Sequence, residues 1–145
     1  MSDARTGVLA FLEDFWLWKA PVEDNADLFE VLGVEGDDAF GFMEAFFDRF
    51  GVEAEGYRWY FHHGEEGWSP GGLFFSPIHR RFGRIPITLA LLTEAARTQQ
   101  WLVEYPAHVL PRYRWDIFLN QIFAGAALLG LIAWGAWAVW TRFAS

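Results

Sequence analysis

The most constraining feature of this sequence is a long apolar stretch close to its C-terminal end. Residues 117–140 read IFLNQIFAGAALLGLIAWGAWAVW, and the 19 residues that begin at Ile122 include no charged or amide side chain. About 20 apolar residues of helix cross the hydrocarbon core of a bilayer. A helix that is apolar on every side is stable in lipid or inside a large core, and 145 residues are too few to build such a core. We therefore predict a transmembrane helix over residues 117–141 that acts as a tail anchor.

We expect the predicted transmembrane helix to contact lipid and, in one interpretation, the same helix of a second copy of the chain. Ala126, Gly130 and Ala133 share one helix face, and small residues at this spacing let two helices approach closely. The pattern permits a homodimer through these three residues, but apolar helices also contain small residues by chance. The residues predicted to lie in the membrane are Ile117, Ile122, Leu128, Leu129, Leu131, Ile132, Trp134, Trp137 and Trp140.

The charges are distributed unevenly along the chain. Residues 1–66 contain sixteen acidic and four basic side chains, whereas residues 67–145 contain three and seven. Binding to nucleic acid depends largely on cationic contacts to phosphate, so we expect no nucleic-acid partner. A protein with a basic surface is a better match for the acidic half. The chain has no cysteine, which excludes disulfides, thiol nucleophiles and thiolate metal ligands.

The residues that flank the apolar stretch predict its orientation. Arg112 and Arg114 precede it, whereas only Arg142 follows. Positively charged residues are enriched on the cytoplasmic side of membrane-spanning helices. The first 15 residues place a short apolar run between acidic residues, without a small-residue cleavage pattern, so we do not expect them to be a secretory signal. We expect a single-pass protein whose N-terminal domain is cytoplasmic.

The clearest helix is predicted over residues 37–50. Its apolar residues recur at three- and four-residue spacing, which is typical of one buried helix face. Asp37 suits the N-cap, and the carboxylate of Asp38 complements the positive end of the helix dipole. Gly51 follows the last apolar residue and is expected to end the helix.

Two further helices complete an all-α domain over residues 1–104. Apolar periodicity predicts one helix over about residues 4–19 and another over about 88–100, the latter with Thr88 as its N-cap. Both carry one apolar face, so we expect them to pack around a shared core.

The residues between the second and third of these helices have no helical periodicity. Residues 57–84 are predicted to form a long irregular insert, with two short strands around residues 58–61 and 73–75. Residues 105–116 contain two prolines and are predicted to be a linker to the transmembrane helix.

One segment resembles a known family. Residues 28–53 read LFEVLGVEGDDAFGFMEAFFDRFGVE and resemble the central segment of acyl carrier proteins, in which a Leu-Gly-x-Asp-Ser-Leu turn leads into an acidic helix. Residues 86–96, PITLALLTEAA, look like the last carrier helix. Over residues 6–102 the arrangement is similar to an uncharacterised family of small bacterial acyl-carrier-like proteins. The resemblance, which does not include the apolar C-terminal stretch, implies a small acyl-carrier-like helical bundle of a bacterium. Together with the predicted tail anchor, it leads us to expect a protein of the bacterial inner membrane.

The resemblance also implies that carrier chemistry has been lost. Carrier proteins attach their phosphopantetheine arm to a serine, and the matching position here is Gly36, which has no nucleophile. We therefore expect no cofactor and no catalytic residue. The alternative is a carrier whose group is attached elsewhere, for example at Ser69 or Ser76, or is held without a covalent bond.

The acidic helix is the predicted partner-binding surface. In acyl carrier proteins the corresponding helix is recognised by partner enzymes. The resemblance implies that the helix over residues 37–50 is recognised in the same way. Phe40 and Phe47 lie seven residues apart and form either an exposed docking ridge or additional core contacts. The residues predicted to contact the partner are Asp37, Asp38, Phe40, Glu44, Phe47 and Asp48.

Two features of the insert have weaker functional interpretations. His62 and His63 are adjacent, with His79 farther along, and this spacing does not bring imidazoles to one metal ion, so we expect solvated loop residues and no metal site. Leu73, Phe74, Phe75 and Ile78 are apolar and precede three arginines, so we expect this part to lie either in the lipid headgroup region or folded back on the core. The function that these observations favour is a membrane-tethered docking or regulatory module.

Overall fold

The computed structural model describes residues 2–143, and within this range the regular secondary structure is all helical, with no β-strand beyond one isolated bridge between Glu53 and Gln100. The predicted all-α class with one long apolar C-terminal helix is confirmed. The α-helices are α1 (Ser2–Trp16), α2 (Leu28–Leu32), α3 (Gly36–Phe50), α4 (Ile78–Arg81), α5 (Leu89–Thr98) and α6 (Trp115–Phe143). Two short 3₁₀ helices lie between α3 and α4, at Trp59–Phe61 and Pro70–Leu73.

The described chain forms two compact units. The bundle unit contains residues 2–66 and 79–109, and the long-helix unit contains residues 67–78 and 110–143. The predicted insert at residues 57–84 is therefore not one structural element, because its middle part belongs to a different unit from its two ends.

The bundle unit is built on a core of aromatic and aliphatic side chains from α1, α2, α3 and α5. The ring of Phe42 in α3 is fully buried and lies 5.2 Å from Phe11 and 5.8 Å from Phe29, measured between ring centroids. Burying a side chain of this size contributes roughly 2 to 3 kcal/mol of transfer free energy. The large core residues include Leu12, Leu28, Phe29, Phe42, Met43, Phe46, Leu89 and Leu92.

The ends of α3 and α5 follow local sequence rules, with one correction. The N-cap of α3 is Glu35, without a side-chain hydrogen bond, so the prediction that Asp37 caps this helix was wrong. Asp37 lies in the first turn instead, where its charge still complements the dipole. Gly51 ends α3 with φ 63°, and the Oγ1 of Thr88 accepts a hydrogen bond from the Leu91 N–H at 3.1 Å, as expected.

The helix α2 was not predicted, because five residues are too few to show helical periodicity. It begins where the Asp27 carboxylate accepts a hydrogen bond from the Phe29 N–H at 3.1 Å. It ends at Gly33, whose φ of 65° favours glycine. This single turn buries Leu28 and Phe29 in the core.

The two predicted short strands are both absent from the described residues, and 3₁₀ helices lie in their place. Tyr60, Phe61 and His62 are consecutive and all buried, whereas a strand would direct alternate side chains to opposite faces. The second predicted strand lies at the end of the 3₁₀ helix Pro70–Leu73, where the backbone N–H groups of Phe74 and Phe75 both donate to the Gly71 carbonyl, at 3.1 and 2.8 Å, and so form a local turn in place of a strand ladder.

The long-helix unit is dominated by α6, whose 29 residues extend over about 43 Å. It begins at Trp115, two residues before the predicted start, and among the described helices it alone is long and apolar enough to cross a membrane. None of its most apolar window is buried against protein. The 3₁₀ helix Pro70–Leu73 packs against the first turns of α6, in the same unit.

Candidate functional site

Gly36, the position that the predicted carrier resemblance assigns to the attachment serine, has a backbone suited to glycine. Gly36 has φ 56°, in the left-handed region that other L-residues rarely occupy. A Cβ atom built there would overlap the Cγ of Glu66 and lie 2.7 Å from its Cβ. The Gly36 N–H donates to the Gly64 carbonyl at 3.2 Å, which holds this backbone in place. A serine is therefore disfavoured by both backbone and space.

The other candidate serines lie in the long-helix unit. The Oγ of Ser69 accepts a hydrogen bond at 3.1 Å from the side-chain amide of Asn120, in α6. Ser76 is exposed in the segment that follows the 3₁₀ helix Pro70–Leu73. Neither serine lies at the start of an α-helix of the bundle unit, which is where a carrier protein presents its attachment site.

The outer face of α3 presents an acidic surface around one aromatic ring. Asp37, Phe40, Glu44 and Asp48 are all exposed, and their spacing of three or four residues aligns them along one face. Asp38 is exposed beside them. We call these five residues the acidic face.

Phe40 is the apolar centre of the acidic face. Its side chain is 44% exposed, and its ring lies 5.6 Å from Trp59 and 5.0 Å from His63. The buried side of the ring is therefore fixed by aromatic neighbours. A partly exposed aromatic side chain on a rigid helix, surrounded by charge, is typical of an anchor residue in protein interfaces.

Phe47 does not belong to this surface. It is half-buried, and its ring lies 5.3 Å from Tyr57 and 5.6 Å from Trp101. The predicted exposed ridge of two phenylalanines was therefore wrong for Phe47, because the residues after α3 and α5 fold over it. The interpretation as an additional core contact holds for this residue.

The adjacent histidines are buried, so the prediction of solvated loop residues was wrong. His62 is fully buried and His63 is 3% exposed. The Nδ1–H of His62 donates to the Ile85 carbonyl at 2.8 Å, which leaves Nε2 to accept from the Tyr105 hydroxyl at 2.7 Å. The same hydroxyl accepts from the Trp101 indole N–H at 2.8 Å.

This network keeps His62 neutral. Burial lowers its pKa to about 4, against the partial opposing effect of its hydrogen bond to the Ile85 carbonyl. Protonation would place a charge in the protein interior and turn Nε2 into a donor facing a hydroxyl that already accepts from Trp101. His62 is thus a structural residue that joins the segment after α3 to the chain beyond α5.

A polar cavity of about 230 Å³ lies beside the N-terminus of α3. The Nδ1–H of His63 donates to the Gly64 carbonyl at 2.9 Å, and burial lowers the pKa of His63. Arg84, which also lines the cavity, forms an ion pair with Asp27 in which Nε and Oδ2 are 2.8 Å apart. The cavity is lined by Glu35, Tyr60, Phe61, His62, His63, Gly64, His79, Arg80 and Arg84. Among residues 2–143, no group of three or more metal-ligating side chains could hold an ion.

The predicted membrane residues lie on the surface of α6. All nine are exposed, from Ile117 at 39% to Trp140 at 72%. Ala126, Gly130 and Ala133 are also exposed, and a Cβ built at Gly130 would meet no atom within 4 Å. The surface that a second helix would need is therefore open.

Sequence reasoning missed the contribution of the presumed linker to the bundle unit. The hydroxyl of Tyr105 joins His62, Trp101 and the Arg58 backbone N–H. The His108 ring is within 2.8 Å of the Tyr60 hydroxyl. The many aromatic residues in the insert and in the predicted linker were the available sequence signal for packing between the two segments. This signal does not identify which residues contact each other.

The fold and its surfaces define a small helical domain joined to one long apolar helix. The chain belongs to a family of proteins of unknown function, DUF1493, whose family model matches residues 8–104. This match covers most of the bundle unit and ends before α6 begins. No curated protein and no solved structure matches the chain.

Proposed function

We propose that this protein is a membrane-tethered docking or regulatory module with an acyl-carrier-like domain that does not carry a prosthetic group. It is not an enzyme in this proposal, and it needs no cofactor. The acidic face binds a protein with a basic surface, and α6 anchors the chain in the inner membrane of a bacterium, with the bundle unit in the cytoplasm.

The backbone at Gly36 is the observation that supports the loss of carrier chemistry most strongly. Substitution of a single serine by glycine could be reversed by one mutation if the surrounding structure still accommodated a side chain. Here the left-handed φ and the adjacent Glu66 both disfavour one. The present backbone therefore suits glycine, which supports the proposed loss of carrier chemistry.

The composition of the acidic face supports a basic partner. Its four carboxylates surround a half-exposed phenylalanine, and α3 is a rigid helix of 15 residues. Charge complementarity accelerates association and disfavours wrong partners, while a fixed aromatic side chain contributes affinity. Tethering confines this binding to the membrane surface and raises the effective concentration of a membrane-bound partner.

The docking proposal is tested by site-specific photocrosslinking of the full chain in native membranes. A photoreactive amino acid at Phe40 should give one defined protein adduct, identified by mass spectrometry. The matched control is Val31, which is also apolar and half-exposed in the bundle unit. Equal or scattered adducts at both positions would contradict docking on the acidic face.

Charge variants determine whether the adduct depends on electrostatics. The pair Glu44→Lys and Asp48→Lys should reduce the Phe40 adduct about tenfold, because like charges then face the basic partner. The control pair Asp14→Lys and Glu53→Lys changes the net charge equally at exposed positions outside the acidic face and should leave the adduct intact.

The competing carrier function is tested on the same protein. The full chain is co-expressed with a promiscuous phosphopantetheinyl transferase and its intact mass is measured. We expect no mass gain. A gain that maps to Ser69 or Ser76 would replace the docking proposal with a carrier that uses a non-standard attachment site.

A further inference from the structure

The segment of residues 67–78 is held against the base of α6 by the side chain of Asn120. The Oδ1 of Asn120 accepts from the Gly71 N–H at 2.8 Å, and its Nδ2 donates to the Ser69 hydroxyl at 3.1 Å. Both polar atoms of the Asn120 amide are thus hydrogen-bonded to residues 67–78. An amide on a membrane-spanning helix is costly without such partners.

The contact requires a glycine. A Cβ atom at Gly71 would overlap the backbone carbonyl oxygen of Asp116 and lie 3.0 Å from the Oδ1 of Asn120. The backbone of the segment therefore lies directly against the first turns of α6. Arg114 and Asp116 form a bidentate ion pair in the same place, with Nε–Oδ1 and Nη2–Oδ2 distances of 3.0 and 2.7 Å.

The side chains of this segment are unusually apolar for an exposed turn. Trp68, Leu73 and Phe74 are 79%, 84% and 69% exposed. Phe75 is less exposed, and its ring centroid lies 6.3 Å from that of Trp115 in α6. Contiguous exposed apolar surface of this kind indicates contact with a partner or with lipid.

The aromatic residues of α6 indicate that lipid, and not a protein partner, covers this apolar surface. Trp115 and its neighbour Phe118 lie at one end of α6, and Trp137 lies about 33 Å away along the helix axis. This separation matches a hydrocarbon core of about 30 Å with an aromatic belt at each interface. Arg112 is exposed on the same side of the span and supplies a cation for the headgroup region.

On the basis that α6 spans a bilayer, as proposed above, we propose that residues 67–78 lie in the interfacial region of that bilayer. Together with the first turn of α6 they form an apolar, mostly aromatic surface, which we call the collar. The collar inserts between the headgroups and the acyl chains. The collar consists of Trp68, Leu73, Phe74, Phe75, Trp115 and Phe118. The ligand of this surface is the lipid interface itself, and the collar sets how deeply α6 is inserted.

The absence of cysteine from the chain makes a direct test feasible. Three single-cysteine variants of the full chain, Phe74→Cys, Leu129→Cys and Val31→Cys, are labelled with an environment-sensitive fluorophore. Each is reconstituted into vesicles of phosphatidylcholine and phosphatidylglycerol. Quenching by lipids brominated near the headgroup or near the middle of the acyl chain then reports the depth of each label.

We expect the label at position 74 to be quenched about threefold more by shallow brominated lipid than the label at position 31. The label at position 129 should be quenched most by deep brominated lipid. If position 74 behaves like position 31 while position 129 is quenched, the collar is wrong and the membrane anchor stands. If position 129 is not quenched either, both proposals fail.

Discussion

The two units of this protein treat their large apolar side chains in opposite ways. In the bundle unit, Phe29, Phe42 and Phe46 are at most 1% exposed and contact one another or their neighbours. In the long-helix unit, Trp68, Phe74 and the tryptophans of α6 are mostly exposed. The first unit is stabilised by its own core, whereas the second presents an exposed apolar surface, which in our proposal is covered by lipid. The same residue types therefore indicate a core in one unit and an interface in the other.

The largest expected difference between the units concerns phenylalanine truncation. Phe42→Ala should lower the free energy of unfolding of the bundle unit by about 3 to 5 kcal/mol, because it removes a buried ring and leaves a cavity. Phe74→Ala is the matched change in the long-helix unit and should leave that free energy unchanged. Denaturant unfolding of the full chain in detergent micelles, followed by near-ultraviolet circular dichroism, measures both. Similar losses for the two variants would contradict the division into a self-buried unit and an exposed one.

A second difference is expected in the response to pH. The pKa of His62 falls to about 4 on folding, from an ordinary value near 6.5, so the unfolded chain binds the proton more tightly. Its contribution to stability is therefore complete above pH 6.5 and is lost progressively as the pH falls towards 4, by about 3 kcal/mol in total. Burial lowers the pKa of His63 in the same direction.

The pH effect is isolated by comparison with His62→Gln, which cannot titrate. Unfolding free energies of both proteins are measured between pH 7 and pH 4.5. The wild-type protein should lose more stability over this range than the variant. Parallel pH profiles would show that His62 is not the buried neutral group that its hydrogen bonds require.

Gly36, which we propose replaces a carrier serine, provides a third test. Gly36→Ser should destabilise the bundle unit by about 2 kcal/mol, because it forces a side chain into a left-handed backbone next to Glu66. Gly41→Ser is the control within the same helix, since a Cβ there meets no atom within 4 Å, and it should be neutral or slightly stabilising. Thermal unfolding of the two variants compares them. Equal behaviour would remove the structural support for an adapted glycine.

The smallest expected effect concerns the attachment of residues 67–78 to α6. Asn120→Leu removes two hydrogen bonds to the segment and should weaken its attachment by about 1 to 2 kcal/mol. Gln121→Leu changes the adjacent amide, which is exposed, and should have no effect. Hydrogen–deuterium exchange of residues 67–78 in vesicles should accelerate only in the first variant. Equal exchange in both would show that Asn120 does not hold the segment.

The parts of the fold that were predictable from sequence are those fixed by local rules. Apolar periodicity and the terminal Gly51 predicted α3 to within one residue, and Thr88 marked the start of α5. The apolar stretch that follows Ile117 predicted α6, because its length and composition have few other structural solutions. These features depend on residues close together in the chain.

The features that were missed depend on partners distant in sequence. His62 looked like a loop residue because its hydrogen-bond partner Tyr105 is 43 positions away. Phe47 looked like part of an exposed ridge because Tyr57 and Trp101, which cover it, belong to irregular segments. The division of residues 57–84 between two units likewise follows from packing on different elements, which no local pattern reveals.

The central claim is that α6 lies within a membrane while the bundle unit is stabilised without one. Alkaline extraction of membranes that contain the full chain tests it most directly, because this treatment releases peripheral proteins and leaves membrane-spanning ones in the pellet. We expect the wild-type chain to remain in the pellet and Leu129→Arg, which places a charge at the centre of α6, to be released to a large extent. Release of the wild-type chain into the supernatant would contradict the account.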